Sequence, residues 1–208
     1  IAVDGDGYVY VTSTNNHRVV QYDPQLNYSR RWGVLGTGVG KFNLPWGLAT
    51  DAQNRVYVVD RNNHRVQVFT REGQFVRQWG VEGGTDTAFN GPTGIGVYGD
   101  QVVVADTGNN RLIVFDTQGN FIRQWGSGGG TTLSSPTGVA VDAAGKVYVA
   151  DTGNDRFQVF TITGEYLGGK HWEYNTRLAN PRGIAVDGDG YVYVTSTNNH
   201  RVVQYDPQ

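Results

Sequence analysis

The sequence predicts an all-β fold built from repeated four-stranded units, and three observations predict it. A strand–turn–strand segment returns five times: VYVTSTNNHRVVQY from Val9, VYVVDRNNHRVQVF from Val56, VVVADTGNNRLIVF from Val102, VYVADTGNDRFQVF from Val147 and VYVTSTNNHRVVQY from Val192. A proline two residues ahead of a glycine returns four times, as Pro45-Trp46-Gly47, Pro92-Thr93-Gly94, Pro136-Thr137-Gly138 and Pro181-Arg182-Gly183. Glycine supplies 30 of 208 residues against 6 prolines, which suits many tight turns and disfavours helices.

The elements of one unit follow in order. Its first strand comes after the proline, as in Gly138-Val139-Ala140-Val141. The small residues there (Gly47 and Ala49, Gly94 and Gly96, Gly138 and Ala140, Gly183 and Ala185) suit a strand crowded against a central axis. The second strand alternates β-branched and other residues, as in Val147-Tyr148-Val149-Ala150. The third follows an arginine, as in Phe157-Gln158-Val159-Phe160. The fourth ends in aromatic-x-x-x-Trp-Gly, from Tyr28 to Gly33, Phe75 to Gly80 and Phe121 to Gly126; the fourth copy departs, reading Tyr166-Leu167-Gly168-Gly169-Lys170 with its tryptophan late at Trp172. Asp142-Ala143-Ala144-Gly145, Thr107-Gly108-Asn109-Asn110 and Asp116-Thr117-Gln118-Gly119 are turn sequences. Four antiparallel strands every 44 to 47 residues describe the blades of a β-propeller. The whole of 1–208 then reads as one propeller region, with units about 1–44, 45–91, 92–135, 136–180 and 181–208, the last without a fourth strand.

Three elements together, P-x-G-[IVL]-[AG]-[VT]-D, [VY]-V-[AVT]-D-x-x-N-[NHD]-R-[VLF] and G-x-[FY]-x-x-x-W-G, resemble the NHL-repeat family across essentially the whole chain. The resemblance implies a propeller, usually six-bladed, acting as an interaction platform. Related propellers also include lyases, so fold alone does not choose an activity.

Residues 1–25 and 184–208 are identical letter for letter, at an offset of 183 residues, while the other units have diverged. Three readings fit: a window on a longer chain that repeats this block, an overlap engineered to permute or close a ring, or a fragment that assembles with other copies. The start at Ile1 and the absence of methionine suit a piece of a longer chain or a processed product. In each reading the last blade leaves a sheet edge open, and open edges invite strand pairing. Self-association through this unfinished blade is therefore expected.

Composition narrows the chemistry. A net charge of −2 and a pI near 6.1 argue against a general nucleic-acid or membrane surface. With no cysteine there is no disulfide framework and no thiolate nucleophile, and the compartment stays open between extracellular and cytoplasmic. No apolar run reaches the roughly 18 residues of a membrane span. His17, His64 and His200 share one repeat position with Asn110 and Asp155, as turn residues do; His171 stands alone. Asp4-Gly5-Asp6-Gly7 and Asp187-Gly188-Asp189-Gly190 lack the further oxygen ligands of a calcium loop. The glycine-rich stretches at Gly36 to Gly40, Gly83-Gly84 and Gly126 to Gly130 lack the Lys-Ser/Thr and helix of a phosphate loop and read as links between blades. No G-x-S-x-G nucleophile motif occurs.

Arg18, Arg65, Arg111, Arg156 and Arg201 recur in every copy, and Asp60, Asp106 and Asp151 stand five residues ahead of three of them. Repetition in every blade points to architecture, because a catalytic group is needed once. Arg30, Arg77 and Arg123 each precede a tryptophan (Trp32, Trp79 and Trp125) by two residues, which puts both on one strand face. Such a stripe could stack on RNA bases or a peptide, or pack between blades with the arginine stems as cover. Together with Trp46 these arginines are the candidate binding residues; the NNH, GNN and GND turns and the glycine-rich links are further contact candidates. The expected function is a non-enzymatic interaction or scaffold module for a protein or peptide partner, without cofactor or metal. A propeller lyase or hydrolase with a metal in its channel, and a single-stranded RNA-binding module, are the alternatives.

Overall fold

The computed structural model describes residues 1–126, 131–170 and 177–207, in which each repeat forms one antiparallel sheet. Blade 1 comprises β1 (Ala2–Val3), β2 (Val9–Ser13), β3 (Arg18–Tyr22) and β4 (Tyr28–Trp32). Blade 2 comprises β5 (Pro45–Thr50), β6 (Val56–Asp60), β7 (Arg65–Phe69) and β8 (Phe75–Trp79). The link after it carries a short parallel pair, β9 (Val81–Glu82) and β10 (Ala88–Phe89). Blade 3 comprises β11 (Ile95–Tyr98), β12 (Gln101–Asp106), β13 (Arg111–Asp116) and β14 (Phe121–Trp125). Blade 4 comprises β15 (Pro136–Val141), β16 (Lys146–Asp151), β17 (Arg156–Thr161) and β18 (Tyr166–Lys170). Blade 5 comprises β19 (Pro181–Val186), β20 (Val192–Ser196) and β21 (Arg201–Tyr205). The sequence that departs from the tryptophan motif still forms its fourth strand, β18, while His171, Trp172 and the glycines at 128–130 lie outside the described residues.

The core is the set of joints between blades. Tyr57, Val59, Val66 and Val68 on one face of blade 2 meet Ile95, Val102, Val104, Ile113 and Phe115 of blade 3. Val103, Ala105, Leu112 and Val114 meet Val147, Val149 and Phe160 in the next joint. A strand whose two faces are both covered reads as a continuous apolar run; β6 is buried at all five positions. Four apolar clusters fill the joints 1–2, 2–3, 3–4 and 4–5, and none of these clusters joins blade 5 to blade 1.

At the axis the first strands approach so closely that a side chain at one position is excluded. A Cβ added to Gly47 would strike the carbonyl oxygen of Thr93; one on Gly94 would strike that of Thr137, and one on Gly138 that of Arg182. Each obstacle is the residue one unit later, just before that unit's own glycine. Gly183 has no such neighbour, and its added Cβ would lie 3.3 Å from Thr195 Oγ1 of its own blade.

At the rim the tryptophan motif has a matching partner. Trp32, Trp79 and Trp125 pack over Gly73, Gly119 and Gly164 in the turn between the third and fourth strands of the following blade. Those glycines hold φ of +79°, +92° and +92°, so both the backbone conformation and the ring face exclude a side chain.

The two identical segments are seated differently. In blade 1, Tyr10, Val19 and Gln21 are buried against blade 2, while Val9, Val11, Val20 and Tyr22 are half-buried on the opposite face. In blade 5 the pattern inverts: Val192, Val194, Val203 and Tyr205 are buried against blade 4, and Thr195, Val202 and Gln204 are exposed. One 25-residue sequence thus shows, within one molecule, how each of its faces is covered.

Gly94→Ala is expected to cost about 1–3 kcal/mol through overpacking, whereas Gly183→Ala should stay within about 0.5 kcal/mol; urea unfolding of the two variants compares them directly. Burial, followed by a hydrogen bond to an aspartate, pushes the Tyr10 and Tyr148 phenols up to about 12. The folded state therefore keeps protons that the unfolded chain loses near pH 10, and stability should be complete below that pH and decline as pH rises from 10 to 12. Tyr148→Phe should make the decline shallower in a series of unfolding curves.

Candidate binding site at the axial mouth

The charged residues common to the blades build a latch. Asp60, Asp106 and Asp151 face Arg65, Arg111 and Arg156 directly across the second and third strands. The three-residue 3₁₀ turn between the strands explains the five-residue spacing. Each arginine Nε donates to the aspartate Oδ2, at 2.7, 2.8 and 2.7 Å, and each aspartate is fully buried. The other oxygen, Oδ1, accepts the backbone N–H of Asn43, Asn90 and Ser134, each at 2.7 Å. Arg65 Nη2 donates to the carbonyls of Gly38 and Lys41, and Arg111 Nη2 to those of Thr85 and Ala88. A buried charge pair thus ties the links entering blades 2, 3 and 4 to those blades. Serine stands in for the aspartate in the two identical copies. Ser196 Oγ accepts the N–H of Ala179, and Arg201 Nη2 donates to the Arg177 carbonyl at 2.8 Å, while Arg18 Nε is buried without a partner.

The histidine position belongs to the same device. His17, His64, Asn110, Asp155 and His200 all lie in the left-handed region, φ +51° to +56°, and close the 3₁₀ turns. His17 Nδ1 accepts the N–H of Leu44 and His64 Nδ1 that of Gly91; the Asn110 and Asp155 Oδ1 atoms do the same for Ser135 and Asn180. These side chains are acceptors for the next link, spread one per blade. The Asp-Gly-Asp-Gly sequence is a turn in which Asp4 Oδ1 accepts the N–H groups of Asp6 and Tyr8.

Arg30, Arg77 and Arg123 share strand faces with their tryptophans, and those faces lie in the joints. Their Nη1 atoms donate to the carbonyls of Glu72, Thr117 and Ile162 in the following blade, at 3.4, 3.3 and 2.9 Å. Trp32 packs edge-on to Tyr10 and tilted on Phe69. These contacts are those of interblade packing.

Trp46 sits elsewhere, at the end of the axis where the links enter. Around it runs a staircase of hydroxyls. The first residue of a 3₁₀ turn donates to the proline carbonyl of the next blade: Thr14 to Pro45 at 2.8 Å, Thr107 to Pro136 at 2.7 Å and Thr152 to Pro181 at 2.6 Å. The residue after the proline reaches onward in the same sense: Thr93 Oγ1 donates to the Thr137 carbonyl at 3.0 Å, and Thr137 Oγ1 to the Arg182 carbonyl at 3.1 Å.

Blade 2 breaks this ladder twice. Arg61 takes the turn position held elsewhere by threonine, and Trp46 takes the position of Thr93 and Thr137. The Arg61 guanidinium lies over the Trp46 ring, 5.2 Å from its centroid, and its Nε is buried without a partner. Arg182 breaks the ladder again in blade 5. Trp46, Arg61, Thr93, Thr107, Ser135, Thr137, Thr152 and Arg182 line one cavity of about 180 Å³ at the mouth of the axis. Two cations, one aromatic face and no acidic side chain line it. Such a cup suits an anionic group carried beside a flat or apolar one. Sequence reading singled out Trp46 by its exposure but missed Arg61 and Arg182. The signal was present, since aligning the units by their prolines sets Arg182 against Thr93 and Thr137, and aligning them by their latch arginines sets Arg61 against Thr14, Thr107, Thr152 and Thr197.

The NHL repeat family model matches residues 42–69, 89–115, 133–160 and 178–205. No curated protein sequence matches the chain. Among solved structures, the chain resembles that of a streptogramin B lyase at TM-score 0.70 and 15% identity, covering 100% of this chain and 67% of that one. It resembles a chain of a nidogen/laminin complex at TM-score 0.72 and 18% identity, covering 99% and 74%. It also resembles a Kuenenia stuttgartiensis hydrazine synthase chain at TM-score 0.69 and 16% identity, covering 99% and 75%. At these identities the likeness is one of fold, and it spans chains of enzymes and of a nidogen/laminin complex alike.

Arg111→Ala leaves Asp106 buried and uncompensated, so the loss of stability should reach about 3–5 kcal/mol. Arg18→Ala, at a latch without its aspartate, should cost less than about 1 kcal/mol. Thermal melts of the two variants test the difference.

Proposed function

The chain belongs to the NHL-repeat family, and from that footing we propose that it is a non-enzymatic binding propeller whose axial mouth takes an acidic segment of a protein partner. The observation that carries this reading is the break in the threonine ladder. Thr93, Thr107, Thr137 and Thr152 at the mouth repeat between blades, and their hydroxyls are committed to neighbouring carbonyls. Trp46, Arg61 and Arg182 do not repeat. An arginine stacked on a tryptophan, with a second arginine across the cup, is recognition chemistry for a carboxylate next to an aromatic or apolar group. Thr93, Thr107, Thr137 and Thr152 donate within the staircase, which suits a rigid wall better than a nucleophile. A chain of similar fold in a nidogen/laminin complex is a precedent for protein association by this architecture.

Fluorescence polarisation against labelled acidic peptides, each carrying one aromatic residue, tests the proposal. Binding should weaken with rising salt. Arg61→Ala and Arg182→Ala should each lower affinity by about tenfold, the scale of one charge-assisted contact, with melting temperatures near that of the parent. Peptides that fail to bind, or bind all variants equally, would overturn it.

A further inference from the structure

The two identical segments differ in what covers them, and the covered copy shows what the bare one is shaped to receive. In blade 1, Tyr10 Oη donates to Asp4 Oδ2 at 2.8 Å, and Gln21 Nε2 donates to Tyr10 Oη at 3.0 Å and to the Arg71 carbonyl at 3.1 Å. Arg71, from the turn between β7 and β8, enters this cluster and pairs with Asp4 at 3.1 Å and with Asp6. In blade 5 the receiving half stands ready: Tyr193 Oη donates to Asp187 Oδ2 at 3.0 Å and Gln204 Nε2 to Tyr193 Oη at 3.2 Å. Asp187, Asp189 and Gln204 are exposed there, and Val202 is 63% exposed where its twin Val19 is 0%. Among the described residues β21 pairs with β20 alone, whereas its twin β3 also pairs with β4.

We propose that residues 184–208 of one copy of this chain take, on a second copy, the place that residues 1–25 hold, and that the exchange is reciprocal. The occupant of the bare face is then β4–β8 of the second copy. Its β4 supplies the fourth strand beside β21, and its Arg71 enters between Asp187 and Asp189. The contacts exchanged are the same letter for letter, because the segments are. Seating favours the later copy. In the exchanged state it is covered behind by blade 4 and in front by β5–β8, and its Arg201 keeps the link carbonyl of Arg177. The first copy covers one face only and leaves Arg18 Nε buried without a partner. Reciprocal exchange closes with two-fold symmetry and gives four blades per copy, the pair falling at the upper end of the roughly four to eight blades that propellers form. The exchange also brings Thr197 to the Pro45 carbonyl that Thr14 holds at the mouth, and the assembly can be read by covalent mass whatever the mouth binds.

The cysteine-free chain permits a direct test. Gln21 faces Arg30 across β3 and β4, so position 204 would face position 30 of the second copy, within disulfide reach. The Arg30→Cys/Gln204→Cys variant should oxidise to a covalent dimer by non-reducing intact mass. Free thiols throughout, or a disulfide within one chain, would overturn the proposal. Sedimentation gives a second readout from one substitution at two matched positions. Val202→Asp, at an exposed site, should leave the fold intact and lower the dimer fraction by about tenfold or more, because it carries a charge into an apolar joint. Val19→Asp should raise the dimer fraction by loosening the competing segment. The same direction of change for both would overturn the exchange. If Val19→Asp unfolds the chain, the cysteine pair still decides the question.

Discussion

A sheet with two apolar faces cannot stand alone in water, and this constraint organises the molecule. The strands of the interior blades are apolar on both sides, so each blade needs a neighbour in front and behind. Everything else adjusts to let blades approach. Glycine stands wherever first strands meet at the axis, and glycine lies under each rim tryptophan. Among the described residues, blades 1 and 5 each share an apolar cluster with one neighbour, and Val202 on the far face of blade 5 is 63% exposed.

Apolar burial does not say how blades are aligned, and polar groups supply that. The buried aspartate–arginine latch holds the links into blades 2, 3 and 4, and the threonine staircase joins blade to blade around the mouth. Both are directional and both recur. Charges that recur in every unit are therefore absorbed by architecture. What remains for recognition is the part of the mouth that does not recur, the Trp46–Arg61 stack and Arg182. Lyase, synthase and laminin-complex chains share this fold at 15 to 18% identity, which is why the reading of function rests on the mouth and not on the blade.

Much of this was legible in the one-dimensional pattern because strand packing is periodic. Alternation, turn residues and a constant spacing gave the strands and their order. The recurrence of the Asp–Arg pair marked it as structural before any distance was known. Small residues after each proline pointed to a crowded axis, and the colliding carbonyls of Thr93, Thr137 and Arg182 supply the reason. The arginine–tryptophan stripe was legible only as a shared face; its neighbour is another blade, which lies some forty residues away in the chain.

By itself the sequence determined the blade, its repeat and the identity of its first and last segments, since these depend on local periodicity and on comparing letters. Tertiary structure alone decided which face of each strand is covered, which arginines are committed to a latch and which line a cavity. The physical reason is visible in residues 1–25 and 184–208. The same letters bury Tyr10, Val19 and Gln21 in one place and Val192, Val194, Val203 and Tyr205 in the other, because burial belongs to the neighbour a strand meets.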